Sequence, residues 1–258
     1  MDDKHAQEKN FSELSLTHTP EAIQNRILYG PRHTYLRDFI YGAIDGIVTT
    51  FAVVSGVAGA GLSMGIVIVL GVANLVADGF SMAVSNFLGT RAEEQLREAA
   101  REMEEEHIDK IPHGEREEVR QIFANKGFKG EDLEKIVEVI TSDRKLWIDT
   151  MIKEELGLPL EGPEPWKAGF STFTSFFILG SLPLISFLVL WFNPHLKFDP
   201  FLVSSVVTGA AFFVVGTFKS LFVNEKWYLA GLETLFVGGV AAVLAYTVGI
   251  FLRGVITF

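Results

Sequence analysis

The chain of 258 residues contains no cysteine. Disulfides and thiolate metal sites are therefore excluded, and any soft ligand must come from its five methionines or six histidines. Basic residues are also scarce: 22 Lys and Arg stand against 32 Asp and Glu, a formal net charge of −10. An acidic chain is ill suited to a phosphate backbone, which argues against nucleic acid as a partner and permits cations. The first 35 residues lack the apolar stretch of a cleavable signal peptide. They are polar, contain Pro20 and Pro31, and are expected to form a mobile or surface-lying tail over residues 1–36.

Most of the remainder is nearly free of charge. Residues 91–168 hold 21 of the 32 acids and 13 of the 22 bases, a local net charge of −8, so the rest is strongly apolar. Mean hydropathy is +0.29 and phenylalanine numbers 22, both high for a water-soluble protein. Five windows approach the ~20 apolar residues that a bilayer helix needs: Phe39–Leu62, Ile66–Leu88, Phe170–Phe192, Phe201–Phe218 and Leu229–Leu252. Their interiors hold three charges, Asp45, Asp78 and Glu233. The pattern predicts an all-α membrane protein of five transmembrane helices. A cytoplasmic three-helix metal-binding insert separates spans two and three, dividing the chain into 37–90, 91–168 and 169–258.

Orientation follows from the basic residues at the span ends. Arg26, Arg32 and Arg37 precede span one, Arg91, Arg97 and Arg101 follow span two, Lys167 precedes span three, and Lys219 and Lys226 flank the loop between spans four and five. The opposite side has Lys197 and Arg253. The N-terminus and insert are therefore expected in the cytoplasm and the C-terminus on the other side, in the plasma membrane of a bacterium or archaeon or the vacuole of a eukaryote. Within the insert, "RAEEQLREAAREMEEEHIDK" is a strong helix former that can continue span two. "IPHG" ends it. Glu115–Asn125 reads as a second helix, and Glu131–Leu156 as a third with Leu133, Ile136, Val137, Ile140, Leu146 and Ile148 on its apolar face.

Two clusters carry the candidate chemistry. In span two, Asn74, Asp78 and Met82 recur at i, i+4, i+8, with Ser81, Ser85 and Asn86 alongside. A charged Asp at mid-bilayer costs about 3 kcal/mol or more, so it normally faces a bundle interior or a wet path. If "SMG" is the hairpin between spans one and two, Asp45 and Met82 lie at one depth, with Asp78 about a turn deeper. A carboxylate with a thioether suits a borderline transition metal better than Ca²⁺ or Mg²⁺. A packing role would also account for Asn74 and Asp78, and Met82 alone is an ordinary gap filler. The glycines of "GVAGAG" and "VGGVAA" read as close-packing positions. In the insert, Glu104 and His107 are i, i+3 on one helix, Glu115 and Glu118 i, i+3 on the next, and Met151 and Glu155 i, i+4 on the third. Aimed at one point, they make an oxygen-rich site with one imidazole and one thioether, suited to Fe²⁺, Mn²⁺, Co²⁺ or Zn²⁺. A solvated charged face is the plainer alternative.

The stretches "DGIVTTFAVVSG", "NLVADGFSM", the acidic insert ending in "MIKEELGL", "GTFKS" and "LETLFVGGVAAVLAYTVG" resemble, in order, the vacuolar iron transporter family of yeast and plant vacuolar importers and bacterial relatives. They cover most of Asp38 to Gly249. The resemblance implies a homodimer with five spans per subunit that exports Fe²⁺ from the cytosol in exchange for protons, with Mn²⁺ as a second cargo and no prosthetic group. It assigns the family's translocation-path Asp and Met to Asp45 and Met82, and its cytoplasmic metal-binding residues to Glu104, Glu115, Glu118, Met151 and Glu155. His107 stands where a glutamate is common in the family, and Ile152 where a second Met is. Lys219 matches the fourth-span lysine and, like Glu233, reads as a coupling residue or an interfacial anchor. The alternatives are a di-iron carboxylate oxidase, since Glu104-x-x-His107 matches one half of such a site, and a membrane protein that binds metal without transporting it.

Overall fold

The computed structural model describes residues 15–29, 34–220 and 225–255, and its regular structure is helical throughout. The chain divides into two units, Met1–Thr34 and Tyr35–Phe258. In the first, helix α1 (Pro20–Tyr29) begins beside Thr19, whose Oγ1 accepts a hydrogen bond from the Ala22 amide at 3.2 Å. Of the expected tail, residues 1–14 and 30–33, Arg32 included, lie outside the described residues, as does the side chain of Arg26.

The second unit contains α2 (Leu36–Ala60), α3 (Met64–Lys110), α4 (Pro112–Asn125), α5 (Gly130–Ser142), α6 (Arg144–Glu154), α7 (Pro165–Gly180), α8 (Leu182–Phe192), α9 (Pro200–Ser220) and α10 (Trp227–Val255). Helices α2, α3, α9 and α10 are long and apolar enough to cross a membrane, and α7 with α8 makes a fifth candidate if the bent pair is one span. Apolar side chains face outward along this bundle. Val69, Val76 and Phe80 on α3, and Phe236, Val243 and Phe251 on α10, are all more than half exposed. A patch of that extent fits a lipid environment better than water.

Helix α2 is the hub, packed against α3, α7, α9 and α10. Its buried side chains Ala43, Ile47, Phe51 and Val54 form one core with Leu75, Phe176, Leu184 and Phe212. Glycines bring its backbone close to two neighbours, and of the small-residue stretches Gly59 and Gly238 are close-packed whereas Gly239 is not. A Cβ at Gly46 would lie 2.5 Å from the Phe176 carbonyl oxygen on α7, and one at Gly249 would lie 2.1 Å from that of Gly56. Gly249→Val is therefore expected to force α2 and α10 apart and cost about 3 kcal/mol, seen as a lower melting temperature of the detergent-solubilised protein. Gly239→Ala on the same helix, where a Cβ meets nothing within 4 Å, should leave stability equal or higher.

The helix boundaries depart from the sequence expectation in three places. Span three is not one straight helix. It breaks at Ser181 with a 49° bend, because Pro183 lacks an amide donor and cannot continue the ladder from α7. The third insert helix is two helices, α5 and α6. Asp143 is extended and its carboxylate accepts from the Lys145 and Leu146 amides, capping a new start. The new axis turns Trp147, Ile148, Met151 and Ile152 into the insert core and leaves Leu146 42% exposed. The hairpin is not at "SMG". Gly61 adopts left-handed φ of 69° and its amide bonds to the carbonyls of Ala58 and Val57, so the turn closes at Gly61–Ser63 and α3 starts at Met64.

Helix α3, by contrast, runs unbroken for 47 residues, about 70 Å, from the hairpin through the expected span–insert boundary to Lys110. Pro112 then opens α4 after a single intervening residue, three residues before the expected start at Glu115.

Candidate metal sites

The earlier hairpin closure moves the antiparallel register of α2 and α3 by about one helical turn. Asn86 Nδ2 on α3 donates to Asp38 Oδ1 on α2 at 2.8 Å and to Thr172 Oγ1 on α7 at 2.8 Å, and this pins the alignment. Counted from that pair, Asp45 is level with Asp78, and Met82 sits about one turn closer to the insert. The expected pairing of Asp45 with Met82 at one depth gives way to a level pair of carboxylates, Asp45 and Asp78. Asp45, Asn74, Asp78 and Met82 are all half-buried; Ser81 and Ser85 are exposed. Met82 packs against the bundle core, and Asn74 Nδ2 is buried without a hydrogen-bond partner. Thr49 Oγ1 is occupied by the Asp45 carbonyl at 2.8 Å. Asp38 was not singled out in the sequence, although its i, i+7 spacing puts it on the Asp45 face of α2. Lys219 Nζ donates to Glu233 Oε2 at 2.8 Å, tying α9 to α10.

In the insert, the long α3 and the tight turn at Ile111 bring Glu104, His107 and Glu115 together. One ligand atom from each lies within 4.8 Å of the others, the one such His/Asp/Glu group among the described residues. Both glutamates are 1% exposed, yet Glu104 Oε2 and Glu115 Oε2 have no hydrogen-bond partner. His107 Nδ1 is 3.2 Å from Glu115 Oε1. A dication with bonds of about 2.1 Å holds its ligands at most about 4 Å apart, so a small inward shift closes the group around one ion. The buried, unpartnered carboxylate oxygens are what such an ion would satisfy. Glu118 and Glu155 are exposed at the rim, and Met151 is fully buried in the apolar core with Val137, Ile148 and Ile152. The structure thus brings three of the six insert candidates into one cluster and keeps Met151 in a packing position.

A family model, that of the VIT family, matches residues 36–250. The chain belongs to the VIT family. It is 33% identical over 225 residues to a "Vacuolar iron transporter" of Plasmodium berghei, covering 85% of this chain and 82% of that protein. It is 34% identical over 228 residues to one of Toxoplasma gondii, with 86% and 76% covered. To "Vacuolar iron transporter 1" of Arabidopsis thaliana it is 33% identical over 214 residues, with 82% and 83% covered. The matched region of this VIT-family chain contains both clusters.

Electrostatics distinguish the insert cluster from an ordinary charged face. Burial, then the neighbouring Glu115 and Glu155, raises Glu104 from 4.5 to about 7. Burial followed by Glu118 raises Glu115, and the same two causes raise Glu155. The folded protein therefore holds the Glu104 proton more tightly than the unfolded chain does. The resulting stability is complete below about pH 4.5 and is lost as pH rises through about 7. A metal must displace that proton. Insert affinity is thus expected to be level above pH 7.5 and to fall about tenfold per pH unit per displaced proton below pH 7. Calorimetric titration in buffers of different ionisation enthalpy checks this, and proton release at pH 6 is the expected signature.

Proposed function

We propose that this protein is a secondary transporter that moves Fe²⁺, with Mn²⁺ as a second cargo, out of the cytosol in exchange for protons. The observation that carries the reading is the continuity of α3. One rigid helix carries the Glu104–His107 half of the insert cluster at one end and Asn74, Asp78 and Met82 within its apolar part at the other. An ion caught between α3 and α4 would have a carboxylate and thioether route leading into the bundle. Its order is Met82 first, then Asp45 with Asp78 about a turn deeper.

In this reading α7 and α8 together form one broken span, making five. The insert and N-terminus face the cytoplasm and the C-terminus faces the opposite side, as the basic residues at the span ends favour. The half-buried carboxylates of Asp45 and Asp78 on a bilayer-facing bundle call for cover, and a second copy of the chain supplies it, making the route a dimer property. Carboxylates that take up protons when the ion departs provide the exchange. The names of the relatives support transport, and a single Glu-x-x-His cluster suits one ion rather than the paired metals of a di-iron oxidase.

The test is metal-dependent pH change inside proteoliposomes. Fe²⁺ and Mn²⁺ added outside should enter as protons leave and so raise the internal pH, whereas Ca²⁺ should not. Metal uptake with no linked pH change would remove proton exchange, and no uptake by any metal would remove transport.

A further inference from the structure

The insert cluster is not built from carboxylates alone, and its nitrogen has a defined place. Glu104 and His107 sit one turn apart on an unbroken helix, so their spacing is set by α3 itself. Glu115 arrives from α4, which Pro112 starts immediately after the Ile111 turn. His107 Nδ1 faces the buried Glu115 carboxylate at 3.2 Å, while the ring as a whole is 43% exposed. A plain His–Glu contact leaves part of the cluster unexplained. The imidazole offers one donor to one oxygen, and Glu104 Oε2 and Glu115 Oε2 remain buried with no partner. A cation bound jointly by Nδ1 and the two carboxylates satisfies all three residues, with the ring proton carried on Nε2.

We propose that His107 sets the metal preference of the insert, tightening its binding from Mn²⁺ through Fe²⁺ to Co²⁺ and Zn²⁺; this rests on the reading of the insert as a metal-capture site. Carboxylate and water ligands are compatible with all of these ions and suit Mn²⁺ well. Imidazole favours the later dications, following the rise in affinity across the first row. One nitrogen among oxygens is therefore the donor that discriminates. The thioether of Met151 does not supply this softness in the observed packing, because it lies in the apolar core. A consequence is that Zn²⁺ competes with Fe²⁺ for capture at the insert even where it is a poor cargo.

The experiment is competition titration of the full-length detergent-purified protein with Mn²⁺, Co²⁺ and Zn²⁺, at pH 7.5, together with the visible absorption spectrum of the Co²⁺-loaded protein. Wild type, His107→Glu, His107→Ala and the Glu104→Gln/Glu115→Gln double variant are compared. In His107→Glu the ratio of Mn²⁺ to Zn²⁺ dissociation constants should fall about tenfold or more, with Mn²⁺ binding kept or improved, and the Co²⁺ bands should shift as nitrogen is replaced by oxygen. His107→Ala should weaken Zn²⁺ more than Mn²⁺. An unchanged ratio and an unchanged Co²⁺ spectrum in His107→Glu would overturn the assignment to His107. If the double variant binds every metal as wild type does, the capture site itself is wrong. If the double variant loses binding while His107→Glu behaves as wild type, only the selectivity inference fails. The partial exposure of His107 makes both substitutions compatible with folding, and equal melting temperatures without metal verify it.

Discussion

Asp45→Asn is expected to reduce metal-driven flux in proteoliposomes by about 100-fold or more, while the purified protein melts at the same or a higher temperature. The two effects have one cause. Asp45 and Asp78 are half-buried carboxylates at about the same level on two packed helices. In the empty protein two like charges at one level in a region of reduced dielectric carry a cost. Replacing one with an isosteric amide removes it. When a dication lies between them the sign reverses, since each carboxylate becomes a partner for a desolvated positive charge. Removing one partner of a buried charged pair costs about 2–5 kcal/mol, and each 1.4 kcal/mol is a factor of ten. Asp78→Asn should behave in the same way. Met82→Ala, about a turn nearer the insert, is expected to reduce flux at low metal and to cost stability as well, because Met82 packs against the core. Flux of wild-type magnitude in Asp45→Asn would mean that the carboxylate pair serves packing and not passage.

Glu104→Gln combined with Glu115→Gln is expected to abolish metal binding at the insert and raise the KM for transport by about tenfold or more, with kcat at saturating metal little changed. The insert cluster lies more than two dozen residues along α3 from Asp78, about 39 Å, so its loss removes collection of ions but not the route. Without metal the double variant should be more stable than wild type above pH 7. There the two buried glutamates are forced toward a charged form that burial opposes at both, with Glu115 adding to it at Glu104 and Glu118 at Glu115. Chemical or thermal unfolding at pH 8 and pH 5.5 reads this directly. The stability gain should shrink at pH 5.5, where Glu104 is already protonated in the wild type. A fall in kcat with unchanged KM would place the cluster in the translocation step itself.

Much of the fold follows from composition and spacing. Apolar runs long enough to cross a bilayer, the polar segment between them, and the uninterrupted helix-forming run from Ala92 to Lys110 are local properties, and local properties survive into the structure as α2, α3, α9, α10 and the insert. The pairing of the insert candidates Glu104 and His107 was likewise legible, because i, i+3 on a helix is a fixed geometry. Less legible were the helix breaks. Asp143 and Pro183 both interrupt apolar periodicity that reads as continuous, one through a side-chain cap and the other through a missing amide donor.

The sequence by itself determined which residue types are set apart as candidates: carboxylates and a thioether inside apolar helices, and glutamates with an imidazole in an acidic segment. Only the tertiary structure decided which of them meet. A turn that closes at left-handed Gly61 instead of at Met64 slides one helix past another by about a turn, and so exchanges Met82 for Asp78 as the residue level with Asp45. A break at Asp143 rotates α6 so that Met151 fills the core. Spacing along one helix is set by the backbone, whereas alignment between helices is set by the last residue of a turn, and a shift of two residues there is enough to change the partner.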